Sequence, residues 1–333
     1  MTDPRRLIAL FGLIASVAVA TESVAAESFV EAPGPIGPLK GTMQAPVGKT
    51  GPVVLIIPGS GPTDRDGNNP AGVRAAPYRL LADSLGARGI TTVRIDKRGL
   101  AGSAGAVTDG NAVTISDYIT DVHSWTTVIQ QRTNASCVWL LGHSEGALIA
   151  MAAAKAGEHV CGLVLVSAAG RPMGEVLRAQ LKANPANAAL LSTALPAIDA
   201  LEAGKRVDTS NMPTPLLGLF NPRVQGFLID AFSYDPVHLL AGIGKPVLIV
   251  QGLRDLQVQE SDARLLSRAD PQATLILLPD VNHVLKTVTS DEVSVNVAAY
   301  ADASLPIAPS VVDAISGFLL ANANPTEGGR STN

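Results

Sequence analysis

The sequence predicts an α/β fold: a mostly parallel, doubly wound sheet interrupted by an inserted helical cap. Three observations carry that prediction. From residue 50 onward, short β-branched apolar runs alternate with amphipathic stretches, the pattern of strand–helix–strand units on a parallel sheet. Between Gly170 and Gly244 the alternation stops, and helix formers with scattered prolines take its place. Composition agrees, since 333 residues at 47% hydrophobic, 16% charged and a net charge of -4 exclude a disordered chain and offer no basic surface to a nucleic acid. At roughly 150 residues per domain, this length suggests two domains or one large α/β domain with an insertion.

Taken in order, the chain begins with Arg5 and Arg6, then an apolar run from Leu7 to Ala20, then the small residues Val24, Ala25 and Ala26. These are the three parts of a secretory signal peptide, with cleavage expected after Ala26 or, as second choice, after Ala20. The run falls short of the roughly 20 residues that span a bilayer, and no comparable run follows, so no stable membrane association is expected once the signal is removed. Its removal takes away Asp3, Arg5, Arg6 and Glu22 and leaves the net charge at -4.

Residues 28–45, with their glycines and prolines, predict an antiparallel edge. Strands follow at Val53 to Ile57, Thr91 to Ile95, Cys137 to Leu141, Gly162 to Ser167, Val247 to Gln251 and Ala273 to Leu278. Helices are expected between them at Tyr78 to Ala87 and Ser116 to Gln131; in the second, Tyr118, Ile119, Val122, Trp125 and Ile129 recur at three- and four-residue steps and mark a buried face. The cap is expected to hold helices at Glu175 to Ala183, Ala186 to Leu201 and Val224 to Phe232, with Leu177, Leu190, Leu216 and Phe227 packing inside it. A last helix from about Ser310 to Leu320 precedes a polar tail. The boundaries are therefore a signal peptide at 1–26, a core at 27–170 and 244–321, a cap at 171–243 and a flexible tail at 322–333.

The chemistry is concentrated where strands end. Gly142-His143-Ser144-Glu145-Gly146 lies between a predicted strand and the helix-forming run from Ala147 to Ala156, a G-x-S-x-G nucleophile turn. The serine of such a turn has a strained backbone, and small residues on both sides let the chain cross itself. Of five histidines, His123 is mid-helix, His143 is inside the turn, His159 closes a helix and His238 ends the cap. His283 alone follows the C-terminal end of a late strand, where doubly wound sheets place reactive loops, so it is the candidate base. The carboxylate that orients it is Asp255, just past Val247 to Gln251; Asp280 reads as a loop turn and Asp235 as a cap. Two backbone N–H groups should form an oxyanion hole: that of Glu145, and that of Ser60 in Pro58-Gly59-Ser60-Gly61-Pro62, with Gly61 as the alternative.

Pro58 to Asn68 (PGSGPTDRDGN), Asp96-Lys97-Arg98-Gly99, the Ser144 turn, Gln251 to Val258 (QGLRDLQV) and Asn282-His283-Val284-Leu285-Lys286 resemble bacterial serine esterases of the α/β-hydrolase superfamily. Proteins of this kind are described as dienelactone-hydrolase-like or serine-aminopeptidase-like. The resemblance spans residues 50–320 and implies an α/β-hydrolase fold, a triad of Ser144, Asp255 and His283 in that chain order, and action on carboxylic esters, commonly with short acyl chains. One departure is Ala101, in the small-residue turn after Gly99, a turn read as structural.

Other readings fall away. Gly59-Ser60-Gly61 lacks the third glycine of a dinucleotide fingerprint and has no Walker lysine, and Asp64-Arg65-Asp66-Gly67 lacks the remaining ligands of a calcium loop, so neither cofactor nor metal is expected. Cys137 and Cys161 open two strands that should be neighbours, in a protein expected to fold where disulfides persist. Both a bridge and two buried thiols stay open, because bridging adjacent parallel strands is geometrically demanding. The expected function is an exported, periplasmic or secreted serine esterase whose partner is a small-molecule ester, with no oligomeric state assigned. A peptidase or acyltransferase using the same triad is the alternative, and a non-catalytic binding protein on the same fold is the contrasting class.

Overall fold

The computed structural model describes residues 26–46, 51–155, 157 and 159–323. The expected signal segment up to residue 25 and the tail from residue 324 lie outside the described residues. Eight strands form one sheet: β1 (Ala26–Ala32), β2 (Leu39–Ala45), β3 (Val53–Ile57), β4 (Thr91–Ile95), β5 (Val138–His143), β6 (Val160–Val166), β7 (Val247–Gly252) and β8 (Thr274–Leu278), in the order β1-β2-β4-β3-β5-β6-β7-β8. The β1–β2 hairpin and the β2–β4 pair are antiparallel, and every later pair is parallel. β3, β4, β5 and β7 are buried along their whole length, and β3, β5 and β7, which pair in parallel on both sides, are accordingly rich in Val, Ile and Leu.

The helices are α1 (Pro77–Gly86), α2 (Ile115–Thr133), α3 (Glu145–Lys155), α4 (Met173–Ala183), α5 (Leu191–Glu202), α6 (Thr214–Leu217), α7 (Gln225–Phe232), α8 (Pro236–Leu240), α9 (Glu260–Ala269), α10 (Val293–Ala298) and α11 (Pro309–Ala321). The two-residue period of a strand divides β3 between two cores. Val54 and Ile56 pack with Tyr78, Leu81 and Leu85 of α1 and with Val311, Ile315 and Leu319 of α11. Leu55 and Ile57 pack with Val122, Trp125 and Ile129 of α2, Ile149 and Met151 of α3, and Leu266 of α9. α2 starts at a reciprocal capping box in which Thr114 and Asp117 each bind the other's backbone N–H.

Helices α4 to α8 fill the chain between β6 and β7 and have a core of their own around Ile198, Leu201, Leu216 and Phe220. The single helix expected from Ala186 to Leu201 is two pieces, a 3-10 turn over Pro185–Leu190 and then α5. Asn184 caps the start of the first piece, its side chain accepting from Ala186 N at 3.1 Å. Neither α9 nor α10 was expected. In α9 the buried residues are Asp262, Ala263 and Leu266.

Cys137 and Cys161 form a disulfide, with their Cα atoms 5.1 Å apart. The geometric objection is met by an irregularity in the ladder: Val138 pairs with Val160, but Trp139 pairs with Gly162, so Cys161 is an extra residue opposite no partner. A bulge of this kind re-aims its side chain, here toward Cys137 at the beginning of β5. Among the described residues, no helix is long and apolar enough to cross a membrane.

Candidate active site

Ser144 follows the last residue of β5 and immediately precedes α3, at φ 55° in the left-handed region. This conformation costs a non-glycine residue of the order of 1 kcal/mol and turns the side chain out of the sheet. Its two glycines make the turn possible. A Cβ on Gly142 would lie 2.2 Å from the Gly146 carbonyl oxygen, and one on Gly146 would lie 2.2 Å from that of Ile57. The N-terminus of α3 therefore rests directly on the end of β3.

His283 Nδ1 and Asp255 Oδ2 are 2.8 Å apart. The other carboxylate oxygen of Asp255 accepts from Gln257 N at 2.8 Å and from Val258 N at 2.9 Å. Burial alone would raise the Asp255 carboxyl, but the facing imidazole and these two N–H donors outweigh it and hold the group below the ordinary carboxylate value. With Nδ1 engaged, Nε2 is the ring nitrogen left for chemistry. The His283 loop is fixed by Asn282, whose side-chain oxygen accepts from Lys286 N at 3.0 Å and whose amide donates to Asn296 at 3.2 Å.

Two cavities meet at Ser144. The larger, about 310 Å³, lies under the cap; Ser60, Ser144 and Glu145 form its floor, and Leu148, Val176, Leu177, Leu219, Phe227 and Phe232 are among its walls. The smaller, about 90 Å³, is bounded by Ser60, Ser144, His283 and the polar side chains of Thr63, Tyr78 and Tyr300. The five residues singled out in the sequence thus converge: Ser60 and Ser144 on both cavities, Glu145 on the larger, His283 on the smaller, and Asp255 behind His283. His123, His159 and His238 are absent from both linings, whereas Asp235 caps α8 by accepting from Val237 N at 3.0 Å and His238 N at 3.2 Å.

Three residues of the site were not foreseen. Lys97, read as part of a structural turn, is buried and donates to the Gly59 carbonyl at 2.7 Å and to Glu145 Oε1 at 2.9 Å. Burial disfavours its charge, but the Glu145 carboxylate beside it more than compensates and raises the ammonium above its ordinary value. Its neighbours do serve the turn: Asp96 accepts from Arg65 N at 2.8 Å and from Gly102 N at 3.0 Å, and Arg98 pairs with Asp121 at 2.6 Å. Ala101 takes φ 43°, a left-handed conformation that glycine would adopt with less strain.

Tyr78 and His143 form the other unforeseen contact. His143 Nε2 faces the His283 carbonyl at 2.8 Å and must carry the proton, so its Nδ1 accepts from the Tyr78 hydroxyl at 2.9 Å, which in turn accepts from Gly59 N at 3.0 Å. Burial, assisted by the neighbouring His283, lowers the His143 imidazole to about 3 and keeps it neutral. Lys97 and Tyr78 together hold the Gly59 carbonyl and N–H, while Thr63 Oγ1 donates to the Ser60 carbonyl at 2.8 Å. A trans peptide points Ser60 N–H away from the Gly59 carbonyl, on the side opposite Lys97.

The chain is similar to known proteins over much of its length. A family model described as serine aminopeptidase S33 matches residues 72–215. Esterase EstD of Thermotoga maritima is 27% identical over 267 residues, which cover 78% of this chain and 61% of EstD, so the match spans about three fifths of that relative's length. Among solved structures, the α/β hydrolase GrgF from Penicillium sp. sh18 superposes with a TM-score of 0.59 at 18% identity, covering 90% of this chain and 99% of that one. Est1E from Butyrivibrio proteoclasticus gives 0.55 at 15% identity, covering 88% and 98%. Sheet order, the turn that carries Ser144 and the structural likeness together show that this chain has the α/β-hydrolase fold.

Proposed function

We propose that the protein is an exported serine esterase that cleaves carboxylic esters, including short-chain acyl esters, through Ser144, His283 and Asp255. The observation that carries this reading is the 2.8 Å contact between His283 and Asp255 beside a cavity that His283 shares with Ser144. Ser144 Oγ attacks the ester carbonyl while His283 Nε2 takes its proton, and the oxygen's negative charge is met by the N–H groups of Ser60 and Glu145. His283 then returns the proton to the departing alkoxide, leaving an acyl-serine, and a water activated by the same imidazole releases the acid. Each oxyanion donor would contribute about 2.7 to 4 kcal/mol of transition-state stabilisation. Likeness to EstD supports ester hydrolysis, and the basic, apolar and small-residue order of residues 5–26 together with the disulfide supports export.

The family description favours peptide hydrolysis as the second reading. An aminopeptidase needs a carboxylate free to hold the substrate's ammonium, whereas Glu145, the carboxylate on the wall of the large cavity, is paired with Lys97. The test is hydrolysis of p-nitrophenyl acyl esters and of aminoacyl p-nitroanilides by the wild type and by Ser144→Ala, with fluorophosphonate labelling alongside. Ester turnover and labelling are expected in the wild type and lost in the variant. Full ester activity in a folded Ser144→Ala protein would sink the assignment.

A further inference from the structure

The two cavities at Ser144 are unequal in size and chemistry, and each adjoins a different part of the machinery. Glu145, whose N–H is one oxyanion donor, lies only on the large cavity; His283 lies only on the small one; Ser60 and Ser144 lie on both. In ester cleavage the leaving oxygen must come within hydrogen-bond reach of the imidazole that protonates it. The alcohol therefore departs on the His283 side, where about 90 Å³ is available among Thr63, Val73, Tyr78, Val284 and Tyr300. The acyl chain is left with the space under the cap, about 310 Å³ walled by Leu148, Val176, Leu177, Phe227 and Phe232.

Resting on the ester-hydrolase reading, we infer that the substrates are esters of an apolar acid several carbons long with a small alcohol, so that size is accepted on the acyl side and refused on the alcohol side. Burying each additional methylene of the acyl chain favours the transition state by about fourfold until the cavity is filled. On the alcohol side an added methylene has only about 90 Å³ to enter and soon meets the surrounding side chains, so overpacking rather than burial governs it.

Methyl hexanoate and pentyl acetate test this directly, because they are isomers of equal composition with the long chain on opposite sides of the carbonyl. The mature protein is expected to cleave methyl hexanoate with a kcat/KM at least about tenfold higher, given roughly fourfold per buried methylene. Leu177→Trp, which fills the large cavity, should lower the methyl hexanoate to methyl acetate ratio, and Tyr300→Ala, which widens the small one, should raise the pentyl acetate to methyl acetate ratio. Ser144-dependent cleavage that is equal for the isomers, or faster for pentyl acetate, overturns the inference and leaves the ester-hydrolase reading standing. Absence of turnover for both isomers and for p-nitrophenyl esters overturns both.

Discussion

Lys97 joins the two proposed oxyanion donors through a single ammonium. It binds the carbonyl of the peptide that carries Ser60 N–H, and it pairs with the side chain of Glu145, whose own N–H is the second donor. Lys97→Met would free the Gly59 peptide to rotate, with an expected loss in kcat of about 10²-fold and little change in KM, the effect of losing one oxyanion donor. That variant also leaves Glu145 buried without its counter-charge, a strongly destabilising change, so the decisive protein is Lys97→Met/Glu145→Gln, which removes both charges. Measured per titrated active site, the double variant should remain slow; recovery of wild-type kcat would show that Lys97 only neutralises Glu145. Ser144, Asp255, His283, Ser60 and Glu145 were legible in the sequence because each lies at or just beyond a strand end beside small residues or within a recognisable motif. Lys97, Tyr78 and His143 were not, since their partners lie 38, 48, 65 and 140 residues away and only the folded sheet brings them together.

The turn carrying Ser144 is a contact between elements as much as a conformation, because α3 starts on the backbone of β3. A Cβ at Gly146 would meet two carbonyl oxygens, those of Ile57 at 2.2 Å and Pro58 at 2.7 Å, and neither can move without shifting the strand that leads into Gly59. Gly146→Ala is therefore expected at or above the upper end of ordinary overpacking, about 3 kcal/mol, read as a lower urea midpoint. Fluorophosphonate labelling should fall in the fraction that remains folded. Unchanged stability and labelling would contradict this packing. At this scale the sequence predicted the parallel strands well, because their burial on both faces leaves long apolar runs. It did not assign α9, whose buried apolar residues are only Ala263 and Leu266, and it ran the 3-10 turn and α5 together as one helix.

Across the whole molecule, the disulfide and the candidate site lie at opposite ends of the same strand. Cys137 adjoins the start of β5, while His143 ends it and Ser144 follows. Cysteines 24 residues apart close a loop for which chain entropy gives about 3 kcal/mol of stabilisation. Cys137→Ser/Cys161→Ser should accordingly lower the thermal midpoint by roughly 5 to 10 °C, with ester turnover at 25 °C retained because the rest of the β5–β6 ladder still positions Ser144. A large loss of activity without a thermal shift would show that the bridge acts on the site itself. The pair was visible in the sequence as two strand-opening cysteines; the bulge that lets them meet was not, because it is a property of the β5–β6 register. The cap has a different consequence. β6 and β7 are hydrogen-bonded neighbours, from Leu163 beside Val247 to Val166 beside Val250, so the chain leaves the sheet and returns to the adjacent position whatever length lies between. One uninterrupted stretch of coding sequence thus holds most of the wall of the large cavity, while Ser60, Ser144, Asp255 and His283 are encoded on either side of it. A single recombination event between those two strands can exchange what the protein recognises while its chemistry is inherited intact.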